Sequence, residues 1–172
     1  MAQNEIEGLD GVLERMGEIK NPRKRKNAAT RSARKAMNIV RKDAVAAAKT
    51  LDDNQSAERI WKNIATRPAK TKGTNFVLMR VGVRGGAMQY AKTKANVRAG
   101  RAGETYNTEG SKKNPGGDTW YWRLLEIGTS KMPARPFMRP ALNNNKDAIQ
   151  TAFVEDFKEQ LDKELAKQSG QS

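Results

Sequence analysis

Hydrophobic residues near the start of the chain recur every three or four positions. This spacing is typical of an amphipathic helix and predicts a short helix over residues 5–19. A long helix is predicted over residues 23–51, an alanine-rich stretch that contains no glycine or proline. The positions that define its apolar face are Ala33, Met37, Val40, Ala44, Ala47, Ala48 and Leu51. These side chains are mostly small, so another element is expected to pack closely against this face.

After the long helix the pattern shortens and then changes its period. Residues 57–65 predict a short helix that Ser56 would cap. Over residues 75–84 apolar side chains alternate along the chain, which predicts a strand. Residues 119–127 are rich in aromatic and branched side chains and predict a second strand. We expect the two strands to pair antiparallel.

The segment between the predicted strands, residues 85–118, is rich in Gly, Lys, Arg, Thr and Asn. A connection of this length is uncommon inside a compact domain. Two interpretations remain open, a disordered loop and a long β-hairpin arm that becomes ordered on a partner. In the second, residues 97–103 and 112–117 would form the turns.

The end of the chain predicts a stiff connector over residues 128–139 and a C-terminal helix over residues 140–167. Together these elements predict a single α+β domain over residues 1–172. A small antiparallel sheet would be covered by the long N-terminal helix and the C-terminal helix, with the basic loop or hairpin arm outside it.

Composition limits the chemistry that this chain offers. It has no cysteine and no histidine, which excludes thiol nucleophiles, histidine bases and Cys or His zinc sites. The spacing of its carboxylates matches no metal-binding motif, and we predict no enzyme activity, cofactor or metal. The first residues lack the features of a secretory signal, and the chain has no apolar run long enough to span a membrane. We therefore expect synthesis in a cytoplasm and no membrane partner.

The net charge of +14 is concentrated in the middle of the chain. Residues 61–139 carry sixteen cations and four carboxylates, whereas residues 1–20 and 140–172 are mildly acidic. Such a field attracts nucleic acid or an acidic protein surface. The candidate residues for contact with a DNA channel or an acidic partner are Lys92, Lys94, Arg98, Arg101, Lys112 and Lys113.

The connector combines prolines, cations and large apolar side chains. Proline restricts the backbone, so such a segment loses little conformational entropy when it docks. Glu126, just before it, is expected to pair with one of the connector's arginines. We predict a subunit or partner interface that consists of Glu126, Gly128, Thr129, Met132, Pro133, Arg135, Pro136, Phe137 and Arg139. A cover over the protein's own core is the alternative.

A specific pattern joins these residues to a known family. It consists of an acidic residue, Gly-Thr, a few residues and then "PARPF-R-PAL" at the entrance to a helix. Here the pattern comprises Glu126, Gly128, Thr129, Pro133, Ala134, Arg135, Pro136, Phe137, Arg139, Pro140, Ala141 and Leu142. At these positions the chain resembles the small neck proteins of long-tailed, lambda-like bacteriophages (siphoviruses), variously called head–tail connector, tail-completion or minor tail proteins. Gly8-Leu9, Val81-Gly82-Val83 and Tyr90-Ala91 extend the resemblance over most of the chain.

The resemblance implies a virion structural protein without catalysis, located at the head–tail junction. Such proteins form homo-oligomeric rings around the DNA channel, and we expect a hexamer or dodecamer here. The implied partners are other neck and tail proteins, with non-specific contact to the packaged DNA. The alternative is a basic nucleic-acid-binding module that acts alone, which the net charge and the three tryptophans favour.

Overall fold

The computed structural model describes residues 9–51, 58–73, 75–84, 88–106 and 115–170. Seven helices and four short strands follow one another in these residues, which confirms the α+β class. In chain order they are α1 (Leu9–Glu18), α2 (Pro22–Lys49), α3 (Ile60–Asn63), β1 (Ile64–Pro68), β2 (Met79–Val83), β3 (Met88–Gln89), α4 (Lys94–Arg98), β4 (Thr105–Tyr106), α5 (Trp122–Ile127), α6 (Met138–Asn143) and α7 (Lys146–Ser169).

The described chain divides into two compact units. Unit 1 comprises Met1–Arg41, Thr66–Val81 and Leu142–Ser172, and unit 2 comprises Lys42–Ala65 and Gly82–Ala141. The chain passes from one unit to the other within α2, β1, β2 and α6.

Helices α1 and α2 lie within two residues of the predicted bounds where these can be compared, since residues 5–8 of the first prediction lie outside the described residues. Pro22 occupies the first position of α2, where its missing N–H costs no hydrogen bond. The Asn21 side chain accepts a hydrogen bond from the backbone N–H of Arg23 at 2.9 Å, which caps this helix end. The buried row of α2 recurs every fourth residue and consists of Ala28, Ser32, Ala36, Val40, Ala44 and Ala48.

Helices α1, α2 and α7 provide the main core of unit 1. Its buried residues are Val12, Ile19, Ala28, Val154, Phe157 and Leu161. The rings of Phe153 and Phe157 stack with their centroids 5.3 Å apart. This core depends on α7, whose core residues are more than a hundred positions away from those of α1 and α2 along the chain.

Ion pairs tie α7 to the basic side of α2 and to α1. Lys35 Nζ lies 2.5 Å from Asp156 Oδ1, Arg31 contacts Glu164 at 3.7 Å, and Arg15 on α1 contacts Asp162 at 2.8 Å. Burial of Asp156 acts to raise the pKa of its carboxyl. Hydrogen bonds from Lys35 and Ser32 and the charge of Lys35 outweigh that effect and hold this pKa below its ordinary value. The basic face of α2 is thus partly used within the protein.

The Asp156 contact predicts a specific dependence of stability on pH. A carboxylate whose pKa is lower in the folded state stabilises the fold above its unfolded pKa, about 3.9 for Asp. That contribution is lost as pH falls through the folded pKa. We therefore expect Asp156→Asn to be less stable than wild type at pH 7, with the difference shrinking below about pH 4. Chemical denaturation across pH measures it, with the exposed Glu155→Gln as control. A difference that stays constant down to pH 2 would contradict the prediction.

The sheet differs from the predicted one. Strand β2 is shorter than the predicted strand over 75–84, and it pairs with β1 rather than with residues 119–127. The backbone N–H of Ala69 donates to Leu78 O, and that of Arg84 donates to Asn63 O, both at 2.8 Å. These two bonds place the strands antiparallel and fix the register. Strand β1 includes residues that were assigned to the helix over 57–65. Among the described residues 58–65 only α3 is helical, and the predicted cap Ser56 and residue 57 lie outside the described residues. Isoleucine and threonine suit an extended strand once a partner strand is available.

Within residues 119–127, Trp122–Ile127 form helix α5 and no residue is in a strand, which corrects the second strand prediction. Backbone bonds from Trp122 to Thr119 O and from Leu124 to Tyr121 O begin the turn that continues as α5. The aromatic residues favoured a strand locally, but tertiary contacts override local propensity. In the helix, Trp122 and Glu126 lie one turn apart and contact the same segment, Phe137–Arg139.

The segment over 85–118 contains a small hairpin in its described part. Strands β3 and β4 pair antiparallel, with Met88 opposite Tyr106, and α4 lies between them. Gly100 and Gly103 take positive φ values of 71° and 88°, so the expected turn over 97–103 needs glycine there. The other expected turn, over 112–117, is described only from residue 115.

The predicted C-terminal helix over 140–167 is two helices. Helix α6 begins at Met138 and ends at Asn143, and α7 begins at Lys146. Residues 143–145 are three consecutive asparagines, whose side chains compete for backbone hydrogen bonds and favour helix ends.

Candidate functional site

The connector and the end of α5 form one structure, which we call the clasp (residues 126–139). From Glu126 the chain turns at Gly128, makes a tight bridge between Thr129 and Met132, and returns to α5 before α6 starts. The backbone N–H of Arg135 donates to Leu125 O at 2.7 Å on the way back. Nine of the twelve motif residues, from Glu126 to Arg139, lie in this loop.

Glu126 fastens the clasp. Its Oε2 accepts hydrogen bonds from the backbone N–H groups of Phe137 at 2.8 Å and Met138 at 3.0 Å, and its Oε1 accepts one from Arg139 at 2.9 Å. Arg139 Nε lies 3.6 Å from the same Oε1, so the expected pairing with an arginine is present. Glu126 is only 6% exposed. A carboxylate at the start of α6 satisfies donors that a helix leaves open at its amino end.

Gly128 makes the return possible. Its φ is 81°, and a Cβ at this position would lie 2.8 Å from the backbone nitrogen of Ala134. Thr129 Oγ1 accepts hydrogen bonds from the N–H groups of Lys131 and Met132, which closes the turn. Gly128 and Thr129, the Gly-Thr pair of the motif, thus each have a structural role in this turn.

Phe137 is the apolar anchor of the clasp. It is 1% exposed, and its ring meets Trp122 edge-on with centroids 6.5 Å apart. Glu126 and Phe137, predicted as interface residues, are thus buried within unit 2. Among the others, Thr129, Pro133, Arg135, Pro136 and Arg139 are exposed, whereas Gly128 and Met132 are half-buried. The clasp is a cover for unit 2 and also presents a stiff outer edge.

Helix α5 and the turn before it create a surface that the sequence-based strand prediction missed. Leu124 and Ile127 are exposed and lie three residues apart on one side of α5, and Trp120, two residues before the helix begins, is also exposed. Arg123 lies beside them, with its guanidinium 5.6 Å from the ring of Trp122. We call this the α5 stripe. The strand prediction missed this stripe, because successive side chains of a strand point to opposite faces.

The predicted cations lie in the hairpin where the structure describes them. Lys92, Lys94, Arg98 and Arg101 are exposed. The Arg101 guanidinium lies 4.9 Å from the ring of Tyr90, and its Nε donates to Asn96 Oδ1. Lys112 and Lys113 lie outside the described residues. The hairpin gathers four cations within ten positions.

A buried polar cluster in unit 2 was also not predicted from the sequence. Asn63 Nδ2 donates to Gly117 O at 2.9 Å and to Thr119 Oγ1 at 2.8 Å, while Asn63 Oδ1 accepts from Gly116 N–H at 2.8 Å. Arg59 N–H donates to Gly116 O at 2.7 Å. This cluster fixes the point at which the chain returns from residues 85–118. The glycine pair was visible in the sequence, but its partner more than fifty positions earlier was not.

Gly116→Ala tests this cluster. A Cβ at Gly116 would overlap the carbonyl oxygen of Arg59, which is rigid backbone. We expect a loss of about 2–4 kcal/mol in the free energy of unfolding, because overpacking and broken hydrogen bonds add. Urea unfolding followed by tryptophan fluorescence measures it. Gly82→Ala is the control, since its Cβ would meet nothing within 4 Å. Equal stability of the two variants would contradict the expected effect.

The rest of the described structure offers few candidate sites for binding or catalysis. In the described residues, no group of three or more carboxylates is arranged to hold a metal ion. An open groove of about 430 Å³ in unit 1 is lined by Glu18, Leu165, Ala166, Gln168 and Ser169. The helices that the structure describes include none whose length and hydropathy suit a membrane span.

No family model, curated protein or solved structure matches this chain.

Proposed function

We propose that this chain is a non-enzymatic structural protein of a phage head–tail junction. In this proposal it forms a homo-oligomeric ring, a hexamer or dodecamer, that joins tail to capsid around the DNA channel, and its location is the virion. The observation that carries the proposal is the clasp. Nine of the twelve motif residues by which the chain resembles phage neck proteins lie in this loop, and among them Glu126 caps α6, Gly128 makes the turn and Phe137 is the buried anchor.

The outer edge of the clasp supports a role in docking. Arg135 is exposed, and none of the ion pairs among the described residues involves its side chain. Its backbone is held by Leu125 and by two flanking prolines at 133 and 136, so its position is preorganised. A fixed guanidinium suits a carboxylate of a neck or tail protein. The nearby α5 stripe adds apolar surface of the kind that interface cores use.

The test distinguishes an effect on the folding of the protein from an effect on the joining of heads and tails. We expect Arg135→Ala to keep wild-type stability, within about 0.5 kcal/mol, because its side chain is exposed. In complementation of a phage lacking this gene, the variant is expected to leave heads and tails unjoined, as counted by electron microscopy. Arg34→Ala, an exposed cation on α2, is the control. Antibody labelling of virions provides a direct check. Particles without label at the neck would overturn the proposal.

A separate observation favours a second candidate function, a nucleic-acid-binding module that acts alone. The exposed cations of the hairpin and the Arg101–Tyr90 pair suit the backbone and bases of a nucleic acid. In the first proposal these residues face the DNA channel or an acidic neighbour, so binding is independent of sequence and weakens steeply with salt. A module that acts alone would instead bind as a monomer. Light scattering together with DNA titration across salt distinguishes the two.

A further inference from the structure

The outward face of the β1–β2 pair carries two opposed arginines. The register set by the Ala69–Leu78 and Arg84–Asn63 hydrogen bonds places Arg67 directly opposite Arg80. Both are exposed, and no ion pair among the described residues includes either of them. The other face of β1 is turned toward α2, since Thr66 Oγ1 lies 2.9 Å from Asn38 Oδ1. Like charges directly opposite one another destabilise a strand pair, so this arrangement favours an anionic partner.

Large exposed apolar side chains precede Arg80 along the chain. Leu78 is the neighbour of Arg80 on the same face and is 56% exposed. Phe76, two residues earlier, is 69% exposed. A nucleic acid would leave the leucine without a suitable contact, whereas a protein surface with carboxylates around an apolar residue would satisfy both kinds of group. We call this surface the ribbon face (Arg67, Phe76, Leu78 and Arg80).

Helix α1 offers a surface of that chemistry in the same unit. Its inner side packs into the core through Val12, and Ile19 just after the helix joins the same core. On its outer side Leu13 is 56% exposed, and Glu14 and Glu18 are exposed one turn apart. Neither carboxylate takes part in an ion pair among the described residues. Like charges at this spacing repel one another, as the two arginines do. We call this surface the helix face (Leu13, Glu14 and Glu18).

The spacings of the two faces agree. Cross-strand neighbours have Cβ atoms about 5 Å apart, and helix neighbours four residues apart are separated by about 6 Å. Two guanidiniums and two carboxylates can therefore pair one to one, with Leu78 and Leu13 beside them. Gly17 is exposed on the outer side of α1 with nothing within 4 Å of its Cβ position, which lets a partner backbone approach closely.

We infer that the ribbon face of one copy of the chain docks on the helix face of a second copy. The two faces are different surfaces, so the contact is head-to-tail, and repetition about an axis closes a ring. The inference deepens the proposed function and rests on it for ring closure. The contact itself rests on the charges and apolar side chains of the two faces.

Charge reversal tests the contact. Arg67→Glu/Arg80→Glu makes both faces of a copy acidic, and Glu14→Arg/Glu18→Arg makes both faces basic. We expect wild type to associate and each double variant alone to remain at the monomer mass of 19.1 kDa in light scattering. A 1:1 mixture of the two double variants is expected to associate again, because each acidic face meets a basic one. Association should weaken with salt.

The control changes charge by the same amount elsewhere in unit 1. Arg23→Glu/Arg34→Glu replaces two exposed cations of α2 and is expected to associate like wild type. The inference is overturned by double variants that associate alone as wild type does, or by a mixture that stays monomeric. It is also overturned by a wild-type chain that stays monomeric up to about 1 mM, the weakest affinity worth assigning to an interface. A wild type that stops at dimers through these faces would keep the contact and contradict the ring. Neck labelling of virions tests the proposed function independently of these outcomes.

Discussion

Phe137→Ala is expected to lower the free energy of unfolding by about 3–5 kcal/mol, the usual cost of removing a fully buried aromatic ring. The ring is 1% exposed and meets Trp122 edge-on, so its loss leaves a cavity and removes an aromatic contact. Urea unfolding followed by tryptophan fluorescence is the measurement. All three tryptophans of the chain lie in unit 2, and the signal therefore reports the unit that contains the clasp.

The controls for Phe137→Ala separate the cavity from a general effect of truncation. Ile127→Ala removes an exposed apolar side chain from the same unit and is expected to change stability by no more than about 0.5 kcal/mol. Phe137→Leu keeps much of the volume and is expected to lose less than the alanine variant. An unchanged urea midpoint for Phe137→Ala would mean that the ring does not anchor the clasp.

Glu126→Ala is expected to lower the free energy of unfolding by about 2–4 kcal/mol, because three backbone N–H groups lose a common acceptor. The bond to Phe137 N–H is buried, and its donor has no access to water as a replacement. The same urea titration measures the loss. The α6 helix is also expected to fray at its amino end, which hydrogen exchange at Met138 and Arg139 would detect.

Glu126→Gln separates the acceptor role from the charge. The amide oxygen can replace one carboxylate oxygen, but the amide nitrogen cannot accept from a backbone donor. We therefore expect stability between that of wild type and that of Glu126→Ala. Glu104→Ala, an exposed carboxylate in unit 2, is expected to stay near wild type. Because Glu126 and Phe137 hold the same loop, their combined loss should be smaller than the sum of the two single losses.

In the clasp, the sequence motif predicted some of the contacts and missed others. The sequence predicted a stiff segment with an anchor at Phe137 and an arginine partner for Glu126, and both features are present. The larger role of Glu126, which is to cap α6 through three backbone donors, was not predicted. A capping box is recognisable when donor and acceptor lie three residues apart, whereas here they are eleven to thirteen residues apart.

In the sheet, the local hydrophobic pattern predicted one strand correctly and its partner wrongly. Alternation correctly indicated strand β2, but the partner strand was assigned to residues 119–127 because of their aromatic side chains. Strand pairing depends on which extended segments meet in three dimensions, and β1 is only five residues long. Short apolar segments fit helix and strand about equally well, and long-range contacts decide between them.

The sequence by itself determined the α+β class, the two N-terminal helices and the basic middle of the chain. Those features follow from periodicity over many residues and from summed charge, neither of which needs a long-range contact. Only the tertiary structure decided that α5 is a helix, that Asn63 fastens the returning chain, and that Arg67 lies opposite Arg80. Each of these depends on a partner that is distant along the chain, and its energy comes from desolvation and hydrogen bonding that local sequence does not specify.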